Sequence, residues 1–305
     1  MKILLAGASG AIGRPLINLL IQEEHEVYGI TQSQDRSRLI EEKGAKPVIL
    51  NVLDRQAVFA ALTDLKPEIV IDMLTSLPKE YTSESMSKAA EMDAKIRQEG
   101  GFNLQAAAEI NRAKRYIALS TGFYYAPGTG LADETVPFAF EATPGIAAGA
   151  HVYSEIENRV LNSSNIEGVA LRFGFFYGPG TWYYPGENMD EQLQKQQFPI
   201  IGQGEGIWSF VHIDDAAKAA VLALKCPPGV YNIVNDQPLA LNEWLPAFAS
   251  FLKAPQPLKI TEEAGLQQKG ADLVYYATKL RGASNAKAKQ QLRFQPRRLE
   301  WLATS

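Results

Sequence analysis

The stretch 7-GASGAIG-13 follows the apolar run 2-KILLA-6 and precedes 14-RPLINLLIQEE-24, whose apolar residues recur at helical spacing. A glycine-rich turn between a buried strand and a helix has a definite physical use. Its first glycine permits a tight turn and its middle one lets backbone approach a bound anion. The last lets the helix pack close while its N-terminal N–H groups face that anion. Pro15 falls in the first helical turn, where a missing N–H does no harm. The stretch therefore predicts a phosphate cradle at the head of a parallel sheet.

Outward from the cradle the alternation continues. The runs 26-EVYGI-30, 48-VIL-50 and 69-IVIDML-74 read as short buried strands, with 36-RSRLIEEKG-44 and 55-RQAVFAALTDL-65 as amphipathic helices between them. A helical stretch over roughly Glu84 to Ile110 leads into 115-RYIALS-120, and 168-GVALRF-173 reads as a further buried strand. Strand and helix in turn imply an α/β fold, a doubly wound parallel sheet of at least six strands covered on both faces. Beyond Tyr177 the pattern breaks into glycine, proline and aromatics, as in 178-GPGTWYYPGEN-188, which predicts loops and a small C-terminal lobe. We expect residues 1–177 and 208–235 to form a dinucleotide-binding domain and 178–207 with 236–305 a substrate-binding lobe.

Composition removes several classes of function. The 305 residues are 46% hydrophobic and 21% charged with a formal net charge of -4, and 297-RR-298 is no substitute for a long basic block. Nucleic acid and anionic membrane are thereby disfavoured as partners, leaving a small molecule. Cys226 is alone, which forbids an internal disulfide, and no apolar run approaches the ~20 residues of a membrane span. The N-terminus enters a strand at once, without the pattern of a signal peptide. A cytoplasmic monomer or homodimer is the expectation. His25 and His212 are isolated and lack metal-ligand spacing, so both read as structural and no metal is expected.

The spacing GxxGxxG resembles that of the short-chain dehydrogenase/reductase superfamily, in its extended or atypical branch, the NAD-dependent epimerase/dehydratase group. The likeness extends through 100-GGFNLQAAA-108, 119-LSTGFYYAPG-128, 171-LRFGFFYGPG-180, 207-IWSFVHIDDAA-217, 230-VYNIVNDQP-238 and 281-RGASNAKAKQQLRFQP-296. It implies a Rossmann-like fold and a nicotinamide dinucleotide. Contacts to that cofactor would come from Gly7, Ser9, Gly10, Ala11, Ile12, Gly13 and Arg14 in the cradle, and from Thr31, Ser33 and Arg36 around the second strand's end. Asn51 and Val52 would meet the adenine end, and Leu74 and Thr75 the nicotinamide ribose. NAD sites place an acid about 20 residues past the glycines, whereas a 2′-phosphate calls for cations. Here the strand ends 30-ITQS-33 without a carboxylate, and Arg14 and Arg36 offer guanidinium groups, although Asp35 lies close. NADP(H) is favoured over NAD(H).

The resemblance also supplies a Tyr-x-x-x-Lys helix working with an upstream Ser or Thr, for which Thr121 is the match. The helix 151-HVYSEIE-157 departs from it. With Tyr153 as the tyrosine, Glu157 replaces the lysine; with Ser154 on the usual Tyr-x-x-Ser-Lys pattern, His151 and Glu155 take the two places. A carboxylate one turn from a phenol raises its pKa, the reverse of what a base requires. Three readings stand: His151 as acid/base held by Glu155, a tyrosine of 123-FYY-125 or Tyr177 doing the work, or a cofactor-binding sensor without turnover. On the substrate side, the arginine that binds the diphosphate in sugar-nucleotide epimerases falls on Trp208. Tyr125, Tyr177, Trp182 and Trp208 are candidates for a pocket wall as much as for lobe core, and Arg281 for a substrate anion. These features favour a reductase or dehydrogenase of a small carbonyl or hydroxyl compound over a sugar-nucleotide epimerase or dehydratase.

Overall fold

The structure, a computed structural model, describes residues 1–302. The strands are β1 Lys2–Ala6, β2 Glu26–Thr31, β3 Lys46–Ile49, β4 Ile69–Asp72, β5 Arg115–Thr121, β6 Glu167–Phe173, β7 Phe175–Tyr177, β8 Ile200–Ile201, β9 Ile207–Trp208, β10 Phe210–His212 and β11 Gly229–Ile233. The helices used below are α1 Gly13–Gln22, α2 Gln34–Glu41, α3 Arg55–Leu65, α4 Ser83–Lys95, α5 Gly101–Ile110, α6 Pro144–Leu161, α7 Asn188–Gln194 and α8 Ile213–Leu222.

Seven strands form one sheet in the order β11-β6-β5-β4-β1-β2-β3, every pair parallel. The sequence count of at least six is met, with β11 added at the edge. Alternation along each strand feeds two cores. Ile3 and Leu5 of β1 and Ile117 and Leu119 of β5 pack with Leu16, Ile17 and Leu20 of α1 and the alanines of α8. Leu4, Ala6, Tyr116 and Ala118 face the other way, against Val58, Leu104 and Ile156 of α3, α5 and α6. Period-two burial on both faces is what a doubly wound sheet demands.

The long helix expected over roughly Glu84 to Ile110 is present but not uniform. Residues Ile96–Gly100 form a π-turn between α4 and α5. This extra residue per turn rotates the helix and brings Arg97 inward, where it is 5% exposed. A third core of aromatics, with Tyr183, Trp208, Phe210 and Trp244 at its centre, fills the region after β7. It also takes Ala139, Ile146, Phe175 and Tyr177, which sequence assigned to the nucleotide domain. No helix among the described residues is long and apolar enough to cross a membrane.

Candidate functional site

The cradle is shaped by two glycines. Gly7 has φ +79°, and a Cβ on it would lie 2.5 Å from the Met73 carbonyl oxygen. A Cβ on Gly13 would lie 2.2 Å from the Gly7 oxygen, so α1 docks directly on the turn. No side chain caps α1, so its first-turn N–H groups are not claimed by one. The cradle fits a dinucleotide, with Ser9, Gly10, Ala11 and Ile12 completing the loop that would hold its pyrophosphate. Arg14 is exposed beyond it, with only a long bond from Nε to the Gly10 carbonyl at 3.4 Å.

At the end of β2, Thr31 is buried and Ser33 caps α2 by accepting the Arg36 N–H at 3.2 Å. The Arg36 side chain is exposed in the first turn of α2, beside Asp35. Asn51 turns the chain after β3, its Oδ1 accepting the Leu53 N–H at 3.0 Å, while the Val52 carbonyl accepts from the buried Asn103. Leu74 is half-buried and Thr75 exposed just past β4. These positions follow the carboxyl ends of β2, β3 and β4, the edge of the sheet where open α/β sheets bind ligands. Thr121 closes β5 there, and its buried Oγ1 has no hydrogen-bond partner. An orphaned buried hydroxyl at this place suits a bound ligand.

The helix α6 corrects three sequence expectations. His151 is exposed and its ring packs against Phe140, centroids 4.8 Å apart. It is not held by Glu155, whose carboxylate instead accepts from Gln98 Nε2. Nor does Glu157 burden Tyr153: it is buried, accepts from Arg172 Nε and Nη2 at 2.7 Å each, and accepts from Ser120 Oγ. The cation near Tyr153 comes from elsewhere. Arg97, from the π-turn, sets its guanidinium 5.1 Å from the Tyr153 ring centre, with Asp93 accepting its Nε–H at 2.7 Å. Burial still dominates and holds the Tyr153 phenol above its ordinary pKa, with Arg97 opposing.

Most of the expected pocket wall is core. Tyr125 is 1% exposed, bonded to Asn232 and to Arg172 Nη1, and pushed by burial up to about 12. Tyr177 donates to the Arg298 carbonyl at 3.3 Å and packs on Trp301. Trp208 is fully buried, stacked on Phe175 at 4.2 Å, with Nε1 donating to the Tyr276 carbonyl. Fully packed rings with satisfied polar tips have no face left for a ligand. Trp182 differs: half-buried, it stacks on Tyr81 at 4.7 Å and ties down the loop after β4 through the Lys79 carbonyl at 3.0 Å. Arg281 borders an open cleft of about 420 Å³, but its Nε and Nη2 donate to the Gly130 and Thr129 carbonyls. It closes that loop. His212 caps α8 by accepting the Asp214 N–H at 3.1 Å, and no group of three or more metal-ligating side chains exists among the described residues.

Sequence reasoning missed Arg97 and Tyr276, and held Tyr124 only as one of the two tyrosines of 123-FYY-125. The Tyr276 hydroxyl donates to the Tyr124 oxygen at 2.9 Å, and the Tyr124 ring lies 6.1 Å from that of Tyr153.

Comparison with known proteins agrees with this architecture. The model of the NAD dependent epimerase/dehydratase family matches residues 3–234. A 3-diazoavenalumate denitrifying reductase from a Streptomyces species is 33% identical over 304 residues, covering 99% of this chain and 98% of that protein. The 2-alkyl-3-oxoalkanoate reductase of Stenotrophomonas maltophilia is 24% identical over 269 residues, covering 84% and 77%. Among solved structures, UDP-glucose 4-epimerase of Thermotoga maritima with UDP-glucose superposes at TM-score 0.74 and 19% identity, over 99% of this chain and 95% of that one. The Thermus thermophilus UDP-glucose 4-epimerase complex with NAD gives 0.71 and 20%, over 99% and 96%.

Proposed function

The chain belongs to the NAD-dependent epimerase/dehydratase family, and on that premise we propose that it is an NADP(H)-dependent reductase of a small organic carbonyl compound. The reduced nicotinamide, when bound, supplies the hydride. The observation that carries the reading is a group of phenols, Tyr124, Tyr153 and Tyr276, that burial holds above the ordinary tyrosine pKa near the end of β5. Such groups stay protonated at neutral pH and donate hydrogen bonds; they are poor bases. A protonated phenol in this group, such as Tyr124 hydrogen-bonded to Tyr276, can give its proton to the oxygen of a carbonyl that takes up hydride. The lobe, with Trp182 and the loop it anchors, would close the substrate side.

A sugar nucleotide suits the site poorly. The position expected to carry a diphosphate-binding arginine is the buried Trp208. NADP(H) is supported over NAD(H) by Arg36, exposed in the first turn of α2 after a β2 terminus without a carboxylate, and by Arg14 as a second exposed cation at the cradle, on the side of the loop after β7.

A second reading comes from one observation: the charged neighbours of Tyr153 are Arg97 and Asp93, and neither is a lysine. The Streptomyces relative is named as a denitrifying reductase of a diazo compound. Hydride replacing a diazonium group forms one C–H bond and expels dinitrogen, with no proton needed. A site without the Tyr-Lys pair could serve that reaction.

The test is NADPH oxidation followed by absorbance, against a panel of aldehydes and ketones and, separately, an arenediazonium salt with detection of dinitrogen. Ketone turnover supports the first reading and diazonium turnover the second. Tight NADP(H) binding without either leaves a cofactor-binding sensor.

A further inference from the structure

Gly149, Tyr153 and Glu157 follow at four-residue steps on α6 and so share one stripe of that helix. Glu157 fixes the direction of the stripe, because it is buried against Arg172 of β6 and Ser120 of β5. The helix runs back against the strands it connects, its Val160 carbonyl standing over Gly168 near the start of β6. Each earlier turn of α6 therefore lies nearer the carboxyl edge of the sheet, the ligand edge. Tyr153 is one turn outward from Glu157, and Gly149 is two. A Tyr-x-x-x-Lys pair set on this stripe beyond the buried Glu157, toward the ligand edge, would fall at Gly149 and Tyr153, one turn earlier than the spacing Tyr153/Glu157 suggested.

The space over Gly149 is occupied. A Cβ there would lie 2.5 Å from Tyr124 Cε2, so the Tyr124 ring rests where any side chain at 149 would have to go. We propose that Tyr124 is the catalytic hydroxyl, entering from the loop after β5 the space a helix tyrosine would fill, with Tyr276 of the lobe as its proton relay. Two hydroxyls joined by one hydrogen bond keep one proton to give. Both residues are half-buried. The groups acting on Tyr124 are Tyr276, Arg97, Asp272 and Asp93, with Tyr153 beside it; burial, the largest influence, keeps it protonated.

The proposal rests on the reductase reading. A carbonyl that takes hydride at carbon from a reduced nicotinamide takes the Tyr124 proton at oxygen. The donor's C–H bond, the C=O π bond and the phenolic O–H break as the new C–H and O–H form, leaving the nicotinamide oxidised. Tyr276 then passes its proton to the Tyr124 phenolate and regains one from water.

The first measurement needs no turnover. With 3-fluorotyrosine at position 124, adding NADP+ should shift its 19F resonance, while the same label at 125, tied to Asn232, stays in place. An unmoved signal at 124 in protein shown by calorimetry to bind NADP+ overturns the proposal. In a carbonyl assay, Tyr124→Phe should lower kcat by about 10² to 10⁴ with KM little changed. Full retention of kcat also overturns it. The double variant Tyr124→Ala with Gly149→Tyr returns a tyrosine to the helix and should exceed Tyr124→Ala alone in rate. Equal loss in the two speaks for packing and against catalysis. If the natural protein reduces no carbonyl, the reductase reading fails by itself and the fluorine measurement still judges the placement of Tyr124.

Discussion

Glu157 and Arg172 form a buried bidentate ion pair, both N–O distances 2.7 Å and the two side chains 7% and 6% exposed. The pair joins α6 to β6 and, through Ser120, to β5. It removes the charge that sequence spacing set against Tyr153 and fixes which face of α6 looks at the site. Such a pair is costly to break because one partner is left charged in a dry place. We expect Glu157→Ala to destabilise the fold by about 3–5 kcal/mol, read by urea unfolding. The double change Glu157→Leu with Arg172→Met should lose less than the single one. A single-variant loss below about 1 kcal/mol would place the pair with ordinary surface ion pairs.

The sheet and the cradle were legible because their signals are local. Strand alternation, glycine spacing and Pro15 each act within a few residues. The site was less legible because its parts meet only in three dimensions. Arg172 interrupts the apolar run 168-GVALRF-173, but nothing local to that strand points to Glu157 on α6 as its partner. Nothing in spacing marks Gly149, since a glycine signals by what it lacks and Tyr124 arrives from another element. The π-turn at Ile96–Gly100 is equally silent, as one inserted residue leaves helical periodicity nearly intact. Aromatic residues misled for a related reason: Tyr125, Tyr177 and Trp208 suit a pocket or a core equally by composition, and packing decides.

Asp72 predicts a pH dependence. It is buried at the end of β4, accepts the Tyr116 hydroxyl at 2.7 Å and the Leu74 N–H at 3.1 Å, and burial raises its pKa despite Arg159 and Arg97 nearby. A raised folded-state pKa means the native state holds that proton more tightly than the unfolded chain does. The stabilisation is complete below the ordinary aspartate pKa and is lost as pH rises through the raised value. Asp72→Asn stays neutral throughout, so its stability relative to the natural protein should rise from pH 4 to pH 7. Urea midpoints at several pH values across that interval check this; parallel curves would show that Asp72 does not titrate differently on folding.

The proposed preference for NADP(H) is tested at Arg14. Its guanidinium is exposed beside the cradle, and a Cβ on Gly180 would come within 2.8 Å of its Nη2, so it lies between α1 and the loop after β7. One or two charge-assisted bonds to a 2′-phosphate contribute about 1.5–3 kcal/mol each. Arg14→Ala should therefore weaken NADP+ by roughly 10- to 100-fold and leave NAD+ binding as it was. Calorimetric titration of both cofactors is the measurement. Equal weakening of both would assign Arg14 to the pyrophosphate, and no weakening would leave Arg36 as the cation to examine.

The contrast between His151 and Tyr153 can be settled by kinetics. One of the three readings of the spacing made His151 the acid, held by Glu155 one turn along. The structure leaves the imidazole exposed on Phe140 and gives Glu155 to Gln98. An exposed ring without an orienting partner cannot hold a proton at a fixed place, so His151→Ala should keep turnover within about threefold, since correctly positioned general acids contribute 10² or more. Tyr153 contributes chiefly its ring, on which Arg97 rests, and the ring survives in Tyr153→Phe. That variant should lose about tenfold or less, whereas Tyr153→Ala removes the support of Arg97 and Asp93 and should lose far more. Arg97→Lys should retain more activity than Arg97→Met, because it preserves a cation over the ring. If His151→Ala is the change that abolishes turnover, the imidazole must swing inward when substrate binds, and the exposed position seen here is a resting state.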